Sequence, residues 1–212
     1  MLVDELIITQ KQTKVRCENN VKLFYTDILA LRQQRYSDKI VKQIVFSYSW
    51  KAVSMFRQMR RFKQQLEDQE ALDVLRRGHR GVLSLIGDDG YPYGVPINYF
   101  LGDDCHIYMH CAPAGHKIDA LKKCDKVSFT VIEDLPEQDD DFALYVNSVI
   151  VFGKIQMVED REKVLKSAME LAMHIYPKQK EFYRDDLERN KDRVQLLEIT
   201  PEHITGKKVH ER

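Results

Sequence analysis

The sequence predicts a mainly β fold with flanking helices, built around a small antiparallel barrel or sandwich. Several short segments alternate apolar and polar residues, and tight turns separate them. The residues that punctuate turns lie in the later part of the chain, where the first glycine is Gly78 and the first proline is Pro92. Only a few segments have helical periodicity, so strands form the body of the domain.

Three antiparallel strands are predicted in immediate succession. Residues Gly81–Gly87 form the first, and Asp88–Gly90 is a hairpin signal because Asp-Gly accommodates positive φ at low cost. The return strand is Tyr91–Phe100, and the turn Gly102–Asp104 leads into Cys105–His110. Three short antiparallel strands therefore follow one another along the chain.

The second half of the chain adds longer strands. A fourth strand covers residues 126–133, and the acidic stretch 134–141 is predicted to be a loop. Residues 142–158 are expected to form one or two strands, and residues 193–200 form the last.

Three helices are predicted. One lies between Leu66 and Gly78, with Asp68 as its cap and Gly78 supplying a left-handed end. A short helix begins at Lys117, and residues 159–176 have apolar side chains on one helical face.

Charge and cysteine usage restrict the functional class. The chain has 212 residues with 33 Lys+Arg and 33 Asp+Glu, so no overall field favours nucleic acid or a membrane surface. No apolar run is long enough to cross a bilayer. Its four cysteines form no CxxC pair and no secretory leader precedes them, which predicts free thiols and a cytoplasmic location.

The segment from His110 to Phe129 is the strongest candidate site, and three chemistries compete for it. A metal site is not predicted, since His106 and His110 would stand about 13 Å apart on one strand. Cys111 and His116 could form a nucleophile and base, although no third orienting group is evident. A phosphate site fits the residue order better, because a strand, a small-residue turn with Gly115, and a helix opening at Lys117 follow one another.

The strand that contains Gly94 and Pro96 adds a second feature. Both residues suit a bulge, an edge strand or backbone left free of the ladder. Free backbone groups could contact a planar ring, whereas an edge strand could carry proline only to prevent aggregation.

Several separated motifs resemble a known family. MFRQMRRFKQQL, GYPYGVPINY, IYMHCAPAGHKIDAL, KVSFTVIE and ITPEHITGK occur in the order expected for nitroimidazole-resistance (nitroimidazole reductase) proteins of the pyridoxamine 5′-phosphate oxidase-like group. The resemblance extends from about Met55 to Lys207. It implies a six-stranded antiparallel split β-barrel that binds FMN, in a homodimer with flavin at the interface.

The resemblance also implies site residues and an activity. The catalytic or substrate-contacting residue would be His110, and this chain has Cys111 where Ser or Thr is common, which removes a hydroxyl contact to phosphate. The implied cofactor-binding residues are Val95, Pro96, Ile97, Asn98, His110, Cys111, Gly115, His116 and Lys117. The expected reaction takes electrons from a reduced nicotinamide or another donor and reduces a nitroimidazole-type oxidant to an amine. Two alternatives stay open: a flavin-binding carrier, sensor or stress protein, and a haem-binding barrel with His110 or His116 as ligand.

The domain organisation follows from the limits of this resemblance. Residues 55–212 form the predicted FMN-binding domain, and residues 1–54 are an extension outside it. The extension is mildly basic, with nine Lys/Arg against five Asp/Glu, and it could originate from an upstream start codon.

Overall fold

The computed structural model describes residues 56–136 and 144–211. The predicted extension 1–54 and residues 137–141 of the predicted acidic loop lie outside the described residues. The strands are β1 (Arg80–Ile86), β2 (Pro92–Asn98), β3 (Phe100–Leu101), β4 (Ile107–Cys111), β5 (Lys126–Asp134), β6 (Leu144–Val158) and β7 (Gln195–Glu211). The helices are α1 (Asp68–Arg77), α2 (His116–Lys123), α3 (Arg161–Ile175) and α4 (Lys180–Asn190), with short 3₁₀ turns at Phe62–Gln64, Asp88–Gly90 and Lys191–Arg193.

The sheet curls into a split barrel. Its strand order is β2-β1-β5-β6-β7-β4-β3, and all neighbours pair antiparallel. β2 and β3 occupy opposite ends of this order, yet only Tyr99 separates them in the chain. The two edges must therefore meet, and β2 does contact β4 across the open seam. The predicted fold class is confirmed, with seven strands rather than six because the two-residue β3 forms its own ladder.

Alternation along the strands builds the core. Inward-facing residues such as Leu83, Phe129 and Val151 are fully buried, and α1 contributes its apolar face to the same cluster. Tyr99 lies at the centre, where its hydroxyl donates to the carbonyl of Leu75 at 2.9 Å. The barrel interior is thus filled with side chains, and ligand sites must lie on its outside.

The ends of α1 differ from the prediction. Glu67, not Asp68, is the N-cap, and it forms a capping box with Glu70. Gly78 has φ −68° and ψ 148°, so it is extended rather than left-handed. Glycine is needed there because a Cβ atom would lie 2.4 Å from the Tyr99 hydroxyl oxygen.

The hairpin prediction is confirmed. At the β1–β2 turn Asp89 and Gly90 both have positive φ, 57° and 79°. The amide of Gly87 donates to the carbonyl of Tyr91 at 2.8 Å, which closes the turn. β2 pairs only with β1 among the described strands, so Gly94 and Pro96 lie on an edge strand, one of the placements their presence predicts.

The later elements were only partly predictable. α3 begins at the N-cap Asp160 and covers a second apolar cluster on the outer side of β4 and β7. α4 has no buried residue, so it lacks the one-sided apolar pattern that would have revealed it. β7 continues well past residue 200. Its pairing with β6 shifts register at Pro201 and Glu202, and this irregularity lets the ladder continue on both sides of the proline.

Among the described residues, no helix is both long enough and apolar enough to span a bilayer. The three cysteines in this part of the chain, Cys105, Cys111 and Cys124, are free thiols.

Candidate functional site

A groove of about 400 Å³ lies where β2 approaches β4. Pro96, Ile97 and Asn98 line it from the edge strand, and His110 lines it from β4. Arg80 completes the groove; it lies opposite Asn98 in the ladder and donates through Nε to Asn98 Oδ1 at 3.1 Å. The structure therefore brings four predicted site residues together and adds Arg80, which sequence reasoning missed because it precedes the predicted first strand.

His110 projects outward from the end of β4. It follows Tyr108 on the same face and lies opposite Leu196 of β7, whereas Met109 between them is buried in the core. The residue is exposed, but desolvation of its ring lowers the pKa of His110, and the positive charge of Lys117 lowers it further. The imidazole is therefore mainly neutral at pH 7 and remains accessible to solvent.

The start of α2 lies close to this groove. Gly115 is the N-cap with φ 118° and ψ 172°, a conformation that L residues rarely adopt, and open space surrounds its missing Cβ. No side chain caps the helix. The Gly115 carbonyl accepts from the amides of Ile118 (2.8 Å) and Asp119 (3.1 Å), which leaves the amides of His116 and Lys117 for a ligand. Lys117 follows in the first turn and acts electrostatically on both His110 and Cys111. Uncapped amides and a cation together suit an anion such as a phosphate.

Val95 and Cys111 face the other way. Both side chains pack against the main core rather than line the groove. Burial raises the pKa of the Cys111 thiol despite the nearby charge of Lys117, which disfavours a thiolate. The His116 ring stacks on Tyr93, with centroids 4.2 Å apart, so the arrangement does not favour a Cys111–His116 nucleophile pair.

His116 lines a second, open cavity of about 610 Å³ along α2. Its Nε2 lies 3.5 Å from Asp88 Oδ2, and Lys123 Nζ lies 2.8 Å from Asp88 Oδ1. Asp119 and Lys122 form the rest of the wall. Tyr93 and this cavity were not anticipated from the sequence, because the β1–β2 turn approaches α2 only in the folded chain.

A buried polar network lies beneath α3, on the outer side of the sheet. Glu198 is 4% exposed, yet both of its carboxylate oxygens accept hydrogen bonds. Its partners are His106 Nδ1 (2.6 Å), Tyr108 Oη (3.0 Å), Gln156 Nε2 (3.2 Å) and Lys163 Nζ (3.0 and 3.1 Å). Desolvation alone would raise the pKa of this carboxyl, but the hydrogen bonds outweigh it and lower the pKa to about 2.

The same network contains the one group of potential metal ligands found among residues 56–136 and 144–211. Ligand atoms of Asp104, His106 and Glu198 lie within 4.8 Å of one another. The ammonium of Lys163 already contacts both oxygens of Glu198, and Tyr108 donates to Asp104 at 2.7 Å. A protein cation thus balances the charge of the buried carboxylate.

Comparison with solved structures finds the same fold in other proteins. A candidate 5-nitroimidazole antibiotic resistance protein from Bacteroides thetaiotaomicron is 21% identical, with 69% of this chain and 87% of that chain covered and a TM-score of 0.54. A FAD-binding protein from Mesorhizobium loti is 24% identical, with 68% and 96% covered and a TM-score of 0.51. A flavocytochrome from Azotobacter vinelandii is 16% identical, with 73% of each chain covered and a TM-score of 0.60.

Sequence comparison extends this result from fold to family. No curated protein matches the chain significantly. The family model described as pyridoxamine 5′-phosphate oxidase matches residues 67–208, which include the groove, α2 and the network beneath α3. The chain belongs to the pyridoxamine 5′-phosphate oxidase family.

Proposed function

We propose that this protein is an FMN-dependent oxidoreductase that reduces the nitro group of nitroimidazole-type compounds to an amine and so confers antibiotic resistance. The observation that carries the proposal is the meeting of Pro96 and Asn98 of β2 with His110 of β4, next to the uncapped start of α2. This arrangement offers a place for a planar ring and, beside it, a place for a phosphate.

The described residues fit FMN in two respects. The first amides of α2 and the ammonium of Lys117 would hold the phosphate, and Gly115 leaves open space where a side chain would obstruct its approach. Pro96, Ile97 and Asn98 would contact the isoalloxazine ring, with Arg80 keeping the Asn98 amide oriented. When bound, the flavin supplies reversible two-electron chemistry that no side chain of the protein can provide.

His110 would deliver protons to the acceptor. Conversion of a nitro group to an amine needs three two-electron reductions, each accompanied by two protons, and releases two water molecules. The electrons come from a reduced nicotinamide or another donor, and the protons come ultimately from solvent. Because the pKa of His110 is lowered, its protonated ring readily gives up a proton. Because the ring is exposed, it can take up another proton from solvent.

A second copy of the chain would complete the site. The outer face of the sheet exposes Val82 (37%), Ile132 (65%), Ile150 (37%) and Phe152 (37%). Val82 lies opposite Pro96 in the ladder, so this apolar face continues to the groove. Burial of the face against the same face of a second copy would form a homodimer with the flavin at the interface.

The cellular setting follows from the same residues. Free Cys105, Cys111 and Cys124 suit a reducing compartment, which supports the cytoplasm, where a reduced nicotinamide donor is available. Complete reduction to the amine would remove the drug without releasing nitro radicals. The fold shared with the Bacteroides protein is consistent with this substrate class.

The test is a redox cycle followed by absorbance. The purified chain is mixed with FMN, then with NADH or NADPH, and then with a nitroimidazole. We expect bound flavin to bleach with donor and to recover its colour with drug, and we expect mass spectrometry to detect the amine. A flavin that binds but never recovers with drug would contradict the reductase.

A second candidate is a cofactor-binding barrel without fast turnover, serving as a carrier, sensor or stress protein. It is supported by the fold shared with a flavocytochrome, and His110 and His116 both offer exposed imidazoles for a haem iron. A Soret band on titration with haemin, lost in His110→Ala or His116→Ala, would favour this candidate. The absence of that band together with flavin turnover would exclude it.

A further inference from the structure

The open cavity along α2 has no role in holding the flavin ring or in proton delivery. We call it the α2 flank and define it by Asp88, His116, Asp119, Lys122 and Lys123. Residues 116, 119, 122 and 123 follow one another at helical spacing along one side of α2. The flank therefore begins at the uncapped amides and runs the length of the helix, and Asp88 of the β1–β2 turn forms its opposite wall.

Its side chains combine a stacking surface with charges of both signs. One face of the His116 ring lies on Tyr93, with an interplanar angle of 17°, and the His116 side chain is still 44% exposed. Asp88 is already paired with Lys123 at 2.8 Å. Among the described residues, neither Lys122 nor Asp119 makes a hydrogen bond or ion pair, although the charge of Asp119 acts on Lys123. Both side chains can therefore still contact a ligand.

These groups match the parts of a nucleotide. A purine can stack on the exposed imidazole face, the Lys122 ammonium can bind a phosphate oxygen, and the Asp119 carboxylate can accept from ribose hydroxyls. A cavity of about 610 Å³ lies within the range of small-molecule sites. Because the flank starts where a flavin phosphate would bind, a group that continues beyond that phosphate would enter it directly.

We propose that the α2 flank binds the adenosine 5′-phosphate half of a dinucleotide. This inference rests on the proposed function, since it assigns the occupant of the surface that adjoins the flavin phosphate site. Two dinucleotides carry this group: FAD, if it replaces FMN as the flavin, and the reduced nicotinamide donor. The same stacking and charge contacts would recognise both, and their experimental signatures differ.

The experiment uses the full chain, freed of flavin, with Lys122→Glu as the probe variant. Lys180→Glu is the matched control, because it makes the same charge reversal at an exposed position on α4. Equilibrium dialysis with 5′-AMP measures the flank without any flavin, and inorganic phosphate controls for a bare anion site. We expect 5′-AMP to bind and Lys122→Glu to weaken it about tenfold.

Two further measurements identify the occupant. If FAD is the occupant, FAD binds about tenfold more tightly than FMN, and Lys122→Glu removes this difference. If the donor is the occupant, FAD and FMN bind equally, 5′-AMP competes with NADH in the FMN-loaded protein, and Lys122→Glu raises KM for NADH while kcat is unchanged.

Failure of this inference can be distinguished from failure of the proposed function. An FMN-loaded protein that turns over normally but shows no 5′-AMP binding, with Lys122→Glu behaving like Lys180→Glu, overturns the assignment of the flank alone. A chain that binds no flavin overturns the proposed function, and the dialysis result still decides whether the flank takes a nucleotide.

Discussion

The Nδ1 atom of His106 lies 2.6 Å from Oε1 of Glu198, which joins the residue just before β4 to the first part of β7 beneath α3. Glu198 is nearly inaccessible, so its charge depends on the donors around it rather than on water. Tyr108 of β4 belongs to this network, and His110 is the next residue of β4 on the same outer face. The polar network thus fixes the strand that carries the candidate catalytic histidine.

This network should make stability depend on pH in the acid range. The pKa of Glu198 falls from an ordinary 4.5 to about 2 in the folded chain, so its contribution is complete above pH 4.5 and disappears as pH falls through about 2. We expect Glu198→Gln to lower the free energy of unfolding by about 3 kcal/mol at pH 7 and to flatten this acid dependence. Urea midpoints between pH 7 and pH 2 measure both effects.

The control for this variant is Glu170→Gln, which removes an exposed carboxylate of α3 whose nearest cation, Lys166, lies 4.0 Å away. It should change the unfolding free energy by less than about 0.5 kcal/mol. If Glu198→Gln were as stable as the wild type at pH 7, the network would have no net stabilising role.

Replacement of His110 should separate catalysis from cofactor binding. We expect His110→Ala to retain FMN and to reduce the rate of nitro reduction about 100-fold, because a positioned proton donor is lost. In the wild type the rate should rise as pH falls below 6.5, since the pKa of His110 lies below that value and the protonated ring is the donor. His110→Ala should lack this rise.

A pH–rate profile of single-turnover flavin reoxidation measures this rise in rate at low pH directly. His79→Ala serves as the control, because His79 is exposed and lines neither cavity. Equal rates and identical profiles in wild type and His110→Ala would leave His110 with a purely structural role at the end of β4.

Lys117 should contribute mainly to phosphate binding. We expect Lys117→Ala to weaken FMN binding by about 1.5–3 kcal/mol, through loss of one charge-assisted contact, while riboflavin, which lacks the phosphate, binds as before. Fluorescence titration with both ligands makes the comparison. Removal of the Lys117 charge should also raise the pKa of His110, so the rise in rate on acidification should begin at a higher pH.

Lys126→Ala is the matched control for Lys117→Ala, because Lys126 is an exposed lysine on β5 outside both cavities. FMN affinity that is unchanged in Lys117→Ala, or lost equally for riboflavin, would remove the assignment of a phosphate to the start of α2.

The apolar outer face of the sheet should mediate dimer formation. Ile150 lies in one row with Val82 and Thr130, so a charge at this position would be buried at the centre of the interface. We expect the wild type to be a dimer by light scattering and Ile150→Lys to weaken association on the order of 100-fold, with a parallel loss of FMN.

Phe182→Lys controls for the loss of an exposed apolar side chain, since Phe182 is 61% exposed on α4. It should leave the molar mass unchanged. A wild type that is monomeric at micromolar concentration, or a dimer that survives Ile150→Lys, would place the interface elsewhere.

Local chemistry let the sequence alone predict most of the strands and the hairpin turn, and it gave an edge strand as one of the placements open to Pro96. Alternation identifies β1 and β5 because each needs only its own side chains to define two faces, and Asp-Gly specifies a turn through its own backbone preferences. The same reasoning predicted the order of turn, Gly115 and helix that follows β4. It misplaced the cap of α1 by one residue and misread Gly78, whose role comes from contact with Tyr99 rather than from its own φ.

The tertiary structure alone decided which of these residues meet. Curling of the sheet brings β2 to β4, and only then do Arg80, Asn98 and His110 share one groove. Pairing of β4 with β7 places Tyr108 beside Glu198, 90 residues apart in the chain, and creates a buried ionic network that no local pattern encodes. The sequence determined the helices, strands and turns because residue preferences for these elements act over a few neighbouring residues. The site depends instead on the pairing of strands that are distant in the chain, and burial of the common core selects that pairing.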